Sequence, residues 1–151
     1  MSKTLEVVFD TQIFLRALIN QKSACGRLVL HMQADYNLYT TEQVNAEILD
    51  VLTRSSLRIK FPQITDKTVE LIQAVLELAN LVEIKPDDIE AICRDPKDDI
   101  FLACAKAAGA DYLVSEDKDL LVLEKHYSTQ IVGVAAFLSV LEASKNESGE
   151  S

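Results

Sequence analysis

Cysteine, glycine, proline and long apolar runs are all scarce in this chain of 151 residues. The three cysteines, Cys25, Cys93 and Cys104, have no metal-ligand spacing, which argues against zinc and favours reduced thiols. No apolar run reaches the roughly 18 residues needed to cross a membrane. No Gly-x-Gly-x-x-Gly follows any expected strand, so a nucleotide-binding reductase is disfavoured.

Basic residues are also few, with 15 Lys and Arg against 24 Asp and Glu and a formal net charge of −9. This balance argues against a protein that coats nucleic acid, because neutralised phosphates supply most of the affinity of such proteins. It is compatible with an enzyme whose acids collect divalent cations. The opening string MSKTLEVVFD lacks the apolar region of a signal peptide, and with the reduced thiols it predicts a cytoplasmic protein.

Strand-like and helix-like segments alternate along the chain, which is 48% apolar and 26% charged as globular proteins are. Strands are expected at residues 5–9, 37–39, 81–84, 112–115 and 130–132. Strands joined by helices predict a single three-layer α/β domain, with a parallel sheet of about five strands and helices on both faces. The domain is expected to span residues 1–143, followed by a polar, disordered tail at 144–151.

Several helix boundaries are marked by capping residues. A capping box at Thr40 and Gln43 is expected to open a helix that runs to about residue 53, and Thr65 opens a strongly amphipathic one. Asp95 and Pro96 are expected to begin a helix that ends at Gly109.

Two aspartates directly follow expected strands, at the edge of the sheet where α/β proteins form their sites. Asp10 ends the first strand, in VVFDTQIFLRAL, and Asp117 follows the fourth, in YLVSEDKDLL. Each is equally well explained as a helix N-cap, for which aspartate is a preferred residue. Asp119 lies two residues after Asp117, and the residues alone do not rank the two.

Helical spacing distinguishes the remaining acids. Glu47 borders the apolar stripe of its helix, whereas Asp50 should face water. Asp98 is aligned with the apolar face of the helix that contains Phe101, and the same count places Asp99 toward solvent. Two strand-end acids and two inward helix acids would form one negative pocket, and such a pocket predicts a bound cation. Ligation by oxygen alone suits Mg²⁺ or Mn²⁺.

The chain resembles the PIN-domain family, and more narrowly its bacterial toxin-type (VapC-like) branch. The strings that carry the resemblance cover nearly the whole chain, and they are VVFDTQIFLRAL, NAEILDVL, RDPKDDIFLACAKAAGADYLVSEDKDLL and IVGVAAFLSVL. The resemblance implies a five-stranded parallel sheet, dependence on Mg²⁺ or Mn²⁺, and cleavage of single-stranded RNA. It also implies a homodimer and a small antitoxin protein that blocks the site.

The resemblance assigns the site residue by residue. It implies catalytic and metal-binding acids at Asp10, Glu47, Asp98 and Asp117, with Asp119 as an occasional fifth. It also places hydroxyls near the metal at Thr11 and Ser115, and Asp99 lies beside the set as a supporting residue.

Two positions depart from the family pattern. Gln12 stands where asparagine is usual, and Glu116 stands where glycine is common. Both favour an alternative function, a catalytically weak PIN-fold module that binds RNA or protein without cutting. A phosphohydrolase of small phosphates is a further alternative, but Asp10 lacks the second aspartate two residues later that many such enzymes require.

RNA also needs a path to the acids. Residues 51–65 contain Arg54, Arg58 and Lys60 without any acid, and they follow the helix of Glu47, so they could flank the site. The alternative is a solvated loop and short helix. His31 and His126 are isolated and are expected to have surface roles, so no general base is assigned to either.

Overall fold

The computed structural model describes residues 4–147, in which helices and strands alternate. The strands are β1 (Leu5–Phe9), β2 (Tyr36–Thr40), β3 (Asn80–Leu81), β4 (Tyr112–Val114), β5 (Lys125–His126) and β6 (Thr129–Val132). The helices are α1 (Thr11–Ile19), α2 (Ala24–His31), α3 (Glu42–Leu52), α4 (Ser55–Lys60), α5 (Asp66–Leu78), α6 (Asp99–Ala108), α7 (Lys118–Leu121) and α8 (Val134–Glu147).

The strands form one sheet in the order β3-β2-β1-β4-β6-β5. Every neighbouring pair is parallel except β5 and β6. This confirms the mostly parallel α/β sheet flanked by helices and adds β5, whose two residues are too short to give a strand signal. The expected strand at 81–84 is shorter and earlier, at Asn80–Leu81.

The sheet centre carries the core. Val7 and Val8 are fully buried and Phe9 is 1% exposed, because β1 lies between two other strands and under helices on its faces. The register pairs Phe9 with Val114, so β1 and β4 end side by side. The residues that follow these two strands therefore enter the same space.

Caps fix where the helices begin. Thr65 opens α5 in a reciprocal capping box with Thr68, as predicted. The predicted cap at Thr40 is wrong by one residue, because Thr41 caps α3 by accepting from the Val44 amide at 2.9 Å. Thr40 still belongs to β2, and its hydroxyl donates to Asn45 at 2.6 Å.

The C-terminal helix extends past the expected domain boundary. Residues 144–147, predicted to be disordered, continue α8, while 148–151 lie outside the described residues. The C-terminal half of this helix is anchored by Leu141, which is 2% exposed, and by the Lys145 ammonium, which lies 3.0 Å from the Asp35 carboxylate. No helix within residues 4–147 is long and apolar enough to cross a membrane. All three cysteines are free.

Candidate metal centre

Asp10 lies at the carboxyl end of β1 and is 4% exposed. One oxygen accepts from the Ile13 amide at 3.2 Å, so Asp10 is the N-cap of α1. The other oxygen accepts a hydrogen bond from the Ser115 hydroxyl. Asp10 therefore has both expected features at once, because one carboxylate oxygen caps the helix while the other takes part in a polar cluster.

Ser115 connects the ends of β1 and β4. It is fully buried, and its Oγ accepts from the Asp117 amide at 2.9 Å while it donates to Asp10. Asp117 in turn caps α7, accepting from the Asp119 amide at 2.8 Å. A continuous chain of hydrogen bonds therefore fixes the carboxyl group of Asp10 relative to the loop that contains Asp117.

Asp98 reaches the same cluster from a third element. A 3₁₀ turn at Pro96–Asp98, capped by Asp95 through the Lys97 amide at 3.0 Å, places Asp98 immediately before α6. The side chain is half-buried, and the neighbouring charge of Asp117 contributes to raising its pKa. Asp98 and Asp117 therefore form a like-charge contact, which is unfavourable in the absence of a cation.

Burial and like charges raise the pKa values of two of these acids. For Asp10, burial raises the pKa to about 7, with smaller contributions from Asp117 and Asp98 and against the lowering effect of its hydrogen bonds. For Asp98, burial comes first and the charge of Asp117 second, and the pKa is again about 7. Asp10, Asp98 and Asp117 therefore form one electrostatically coupled group.

Asp99 is not directed toward solvent, and that prediction is wrong. Asp99 is 4% exposed and one oxygen accepts from the amides of Ile92, at 3.1 Å, and Cys93, at 2.7 Å. The helical count failed for two reasons: the turn before α6 is 3₁₀ rather than α-helical, which changes the angular phase, and the preceding loop folds over the helix end. Asp99 holds that loop in place.

The other two predicted acids are placed differently. Glu47 is half-buried on α3, but it is not a main electrostatic neighbour of Asp10 or Asp98. Its charge acts on Arg54 instead, and together with Asp50 it raises the pKa of that guanidinium. Asp119 adds to the raised pKa of Asp98.

One residue beside these acids was missed by the sequence analysis. The guanidinium of Arg94 lies 3.3 Å from Asp119, so an exposed cation borders the acid cluster. No local pattern identifies Arg94, because a surface arginine in a loop has no characteristic spacing.

The two departures from the family pattern lie at the rim of the cluster. Gln12 is exposed on α1. The Glu116 carboxylate accepts from the Val134 amide at 2.7 Å, at the N-terminus of α8, where the helix dipole favours negative charge. Its charge is thus balanced by the helix, and Glu116 is not among the acids that raise the pKa of Asp10.

Two of the three basic residues expected to bind RNA already have partners. The Arg54 and Arg58 guanidinium groups lie 2.7 Å from the carboxylates of Asp50 and Asp66, respectively. Lys60 has no such partner among the described residues and lines a groove beside the cluster. His31 is exposed at the end of α2, as expected for a surface residue.

His126 lies in β5, where it packs edge-on against Tyr127. Burial lowers its pKa. Neither this contact nor its position in the edge strand relates it to Asp10, Asp98 or Asp117.

The donor set fits a hard cation in chemistry. Within residues 4–146, no three Asp, Glu, His or Cys side chains are close enough together to hold a metal ion, so binding would have to draw the carboxylates together. The donors are all oxygens, the ligand type that Mg²⁺ and Mn²⁺ prefer, and burial together with like charges disfavours the ionised forms of Asp10 and Asp98. The buried Thr11 hydroxyl, which has no hydrogen-bond partner among the described residues, adds a further oxygen.

The neighbours Asp98 and Asp99 should respond oppositely to loss of charge. In EDTA, Asp98→Asn should leave stability unchanged or raise it by about 1 kcal/mol, since one like-charge contact is relieved. Asp99→Ala should lower it by about 1–3 kcal/mol, since two amides lose their acceptor. Mg²⁺ should raise the melting temperature of the native protein and of Asp99→Ala, and that of Asp98→Asn much less. Destabilised Asp98→Asn with an undiminished Mg²⁺ shift in thermal melts would contradict the cluster.

Stability in EDTA should fall as the pH rises from about 4 to 7. Folding raises the pKa of Asp10 from 3.8 to about 7, so the folded state retains a proton that the unfolded chain loses in this interval. This stabilisation is complete below pH 4, and on the order of 1–4 kcal/mol is lost by neutral pH. Urea unfolding of the native protein and of Asp10→Asn measures it, and the variant should show the flatter pH profile. Parallel profiles would show that Asp10 titrates normally.

Comparisons with known proteins identify the family of this chain. A family model described as PIN domain matches residues 6–119, a span that contains every acid of the cluster. A search of the curated proteins finds no match. The crystal structure of PAE2754 from Pyrobaculum aerophilum is similar in fold, with a TM-score of 0.56 over 93% of this chain and 99% of that one, at 16% identity. Because the family model covers most of the sequence, this chain belongs to the PIN domain family.

Proposed function

We propose that this protein is a Mg²⁺- or Mn²⁺-dependent endoribonuclease that hydrolyses phosphodiester bonds of single-stranded RNA. PIN domains are generally nucleases, and one observation carries the proposal further. The buried Asp10 carboxyl group is fixed by Ser115 and coupled to Asp98 and Asp117 at the carboxyl edge of the central strands. Such a cluster is unfavourable without a cation, and this makes it suited to bind one.

The residues of the cluster have distinct parts in this reaction. Asp10, Asp98 and Asp117 would hold the cation, with Glu47 as a more distant acid. The bound cation would supply an activated water and positive charge beside the scissile phosphate. Ser115 keeps Asp10 oriented, and the exposed Arg94 beside Asp119 is placed to meet a phosphate oxygen.

The biological setting belongs to the same proposal and rests on the resemblance alone. A toxin-type ribonuclease would act in the cytoplasm as a homodimer, and a small antitoxin protein would block its site. The excess of acidic residues is consistent with such an enzyme, because affinity for RNA then depends on the bound cation and on a few local basic residues.

A second function is favoured by a specific observation. Within residues 4–146 the acids are not gathered into a closed ligand set. This arrangement is compatible with a catalytically weak module that binds RNA or protein. Gln12 and Glu116 were the sequence features in favour of it. Glu116 is now explained by its contact with α8, so the nuclease is the better supported function.

Purified protein should cleave a mixed-sequence single-stranded RNA with Mg²⁺ or Mn²⁺ and should be inactive in EDTA. Asp10→Asn should lower the rate by about 100-fold or more, because loss of a charged ligand removes several kcal/mol of transition-state stabilisation. The measurement is the initial rate on an end-labelled oligonucleotide, with protein titrated so that slow cleavage is visible.

Asp50→Asn is the matched control, since Asp50 is an exposed aspartate that pairs with Arg54 away from the cluster. It should retain nearly full activity. Undiminished cleavage in excess EDTA would indicate a contaminating nuclease or a cation-independent reaction. Binding of RNA by the native protein without any cleavage in either metal would instead favour the binding module.

A further inference from the structure

A groove of about 810 Å³ opens beside the acid cluster. Gln12 on α1 and Glu116 after β4 line its inner end, and they lie two residues and one residue in sequence from Asp10 and Asp117. Its size lies within the range of about 300–1,000 Å³ that is usual for ligand sites. Whatever occupies this groove therefore lies next to the carboxylates that would carry out the cleavage.

One face of α1 forms a wall of the groove. Gln12, Leu15, Arg16 and Ile19 follow helical spacing and all line it, so apolar and polar side chains alternate along the wall and Arg16 is its one cation. Leu57, Lys60 and Phe61, from α4 and its C-terminal end, also line the groove. The interior is mainly apolar, and each of the two helices contributes one cation.

The two cations are available to a ligand. Neither Arg16 nor Lys60 forms an ion pair with a carboxylate of the part of the chain that is described, whereas Arg54 and Arg58 do. In a chain with a net charge of −9, two unpaired cations that face one groove form a local site for an anion.

An aromatic ring stands directly beside one of these cations. Phe61 is half-buried, and the Lys60 ammonium lies 5.5 Å from the centre of its ring. Nucleotides of single strands bind to proteins through just such a combination, in which the base stacks on a ring and a cation meets the phosphate. A partner peptide would use the apolar floor but not the pairing of a ring with cations.

Charge inside the groove sets the orientation of a bound nucleotide. The Glu116 carboxylate repels phosphate but accepts N–H donors, and one of its oxygens already accepts from Val134. The base should thus lie toward Glu116 and Gln12, and the phosphates should lie toward Arg16 and Lys60.

We infer that this groove binds the nucleotides of single-stranded RNA adjacent to the scissile phosphate, with a base against Phe61 and phosphates at Arg16 and Lys60. This inference rests on the proposed function. It adds the position of the substrate, which lies along α1 and α4 and away from Arg54 and Arg58.

The test measures binding separately from cleavage. A fluorescein-labelled 12-nucleotide RNA is titrated with Asp10→Asn protein in EDTA, by fluorescence anisotropy at several salt concentrations. Adding Arg16→Gln and Lys60→Gln should weaken binding by about tenfold or more. It should also reduce the slope of log K against log[salt] by about 1.4, since each phosphate contact on a single strand contributes about 0.7. The pair Arg27→Gln and Lys67→Gln removes the same charge from exposed positions outside the groove and should leave the slope unchanged.

The ring is tested with a readout that does not depend on stability. RNA carrying 5-iodouridine should form a photo-crosslink that mass spectrometry maps to Phe61, and the exposed Tyr127 serves as the control ring. Phe61→Leu keeps the apolar contact and should weaken binding about fivefold or more, because stacking is lost.

The outcomes separate the two proposals. Cleavage by the native protein together with equal losses in the groove and control variants, or a crosslink only outside the groove, would overturn the inference and leave the nuclease standing. Full RNA binding by the groove variants would also overturn it. Absence of cleavage with groove-dependent binding would overturn the nuclease and support the groove.

Discussion

The burial of one carboxyl group at the end of the central strand determines how this site is built. Asp10 is nearly inaccessible to water, and an ionised carboxylate in such a place is unfavourable unless hydrogen bonds or a counter-charge compensate. The Ser115 hydroxyl and the Ile13 amide supply the hydrogen bonds. Among residues 4–147, no basic side chain forms a hydrogen bond or ion pair with Asp10, and the charges of Asp98 and Asp117 disfavour its ionisation further. A positive charge from outside the chain would therefore stabilise the ionised form of Asp10.

The strand order of the sheet brings the acids around Asp10 together. Because β1 and β4 are parallel neighbours, with Phe9 paired to Val114, the residues after both strands meet at one edge. The 3₁₀ turn before α6 then brings Asp98 near Asp117. Other acids close by are structural: Asp99 holds the loop before α6, and Glu116 caps α8. Acids that are adjacent in sequence thus differ in role according to whether backbone amides or other carboxylates surround them.

Much of the fold follows from the sequence because the signals are local. The apolar run before Asp10, the cap at Thr65 and the glycine that ends α6 each specify an element from a few residues. The wrong predictions concern residues whose positions depend on segments that are distant in sequence. The phase of Asp99 depends on a 3₁₀ turn and on a loop folded over the helix.

The groove was not predictable for a similar reason, because its walls come from segments that meet only in the folded chain. The spacing of Gln12 and Arg16 on one helix face was a signal that could have indicated one wall. Nothing local indicates that α4 also lines the groove. The partners of Arg54 and Arg58 are closer to them in sequence than the two sides of the groove are to each other. Asp50, for example, lies one helical turn before Arg54.

The central claim is that Asp10, Asp98 and Asp117 together form a cation site. Anomalous diffraction from crystals grown with Mn²⁺ tests it most directly. We expect a strong anomalous peak at about 2.0–2.2 Å from oxygens of these three side chains. The peak should be absent from crystals of Asp98→Asn. No peak at this edge of the sheet at saturating Mn²⁺, or a peak that persists unchanged in the variant, would contradict it.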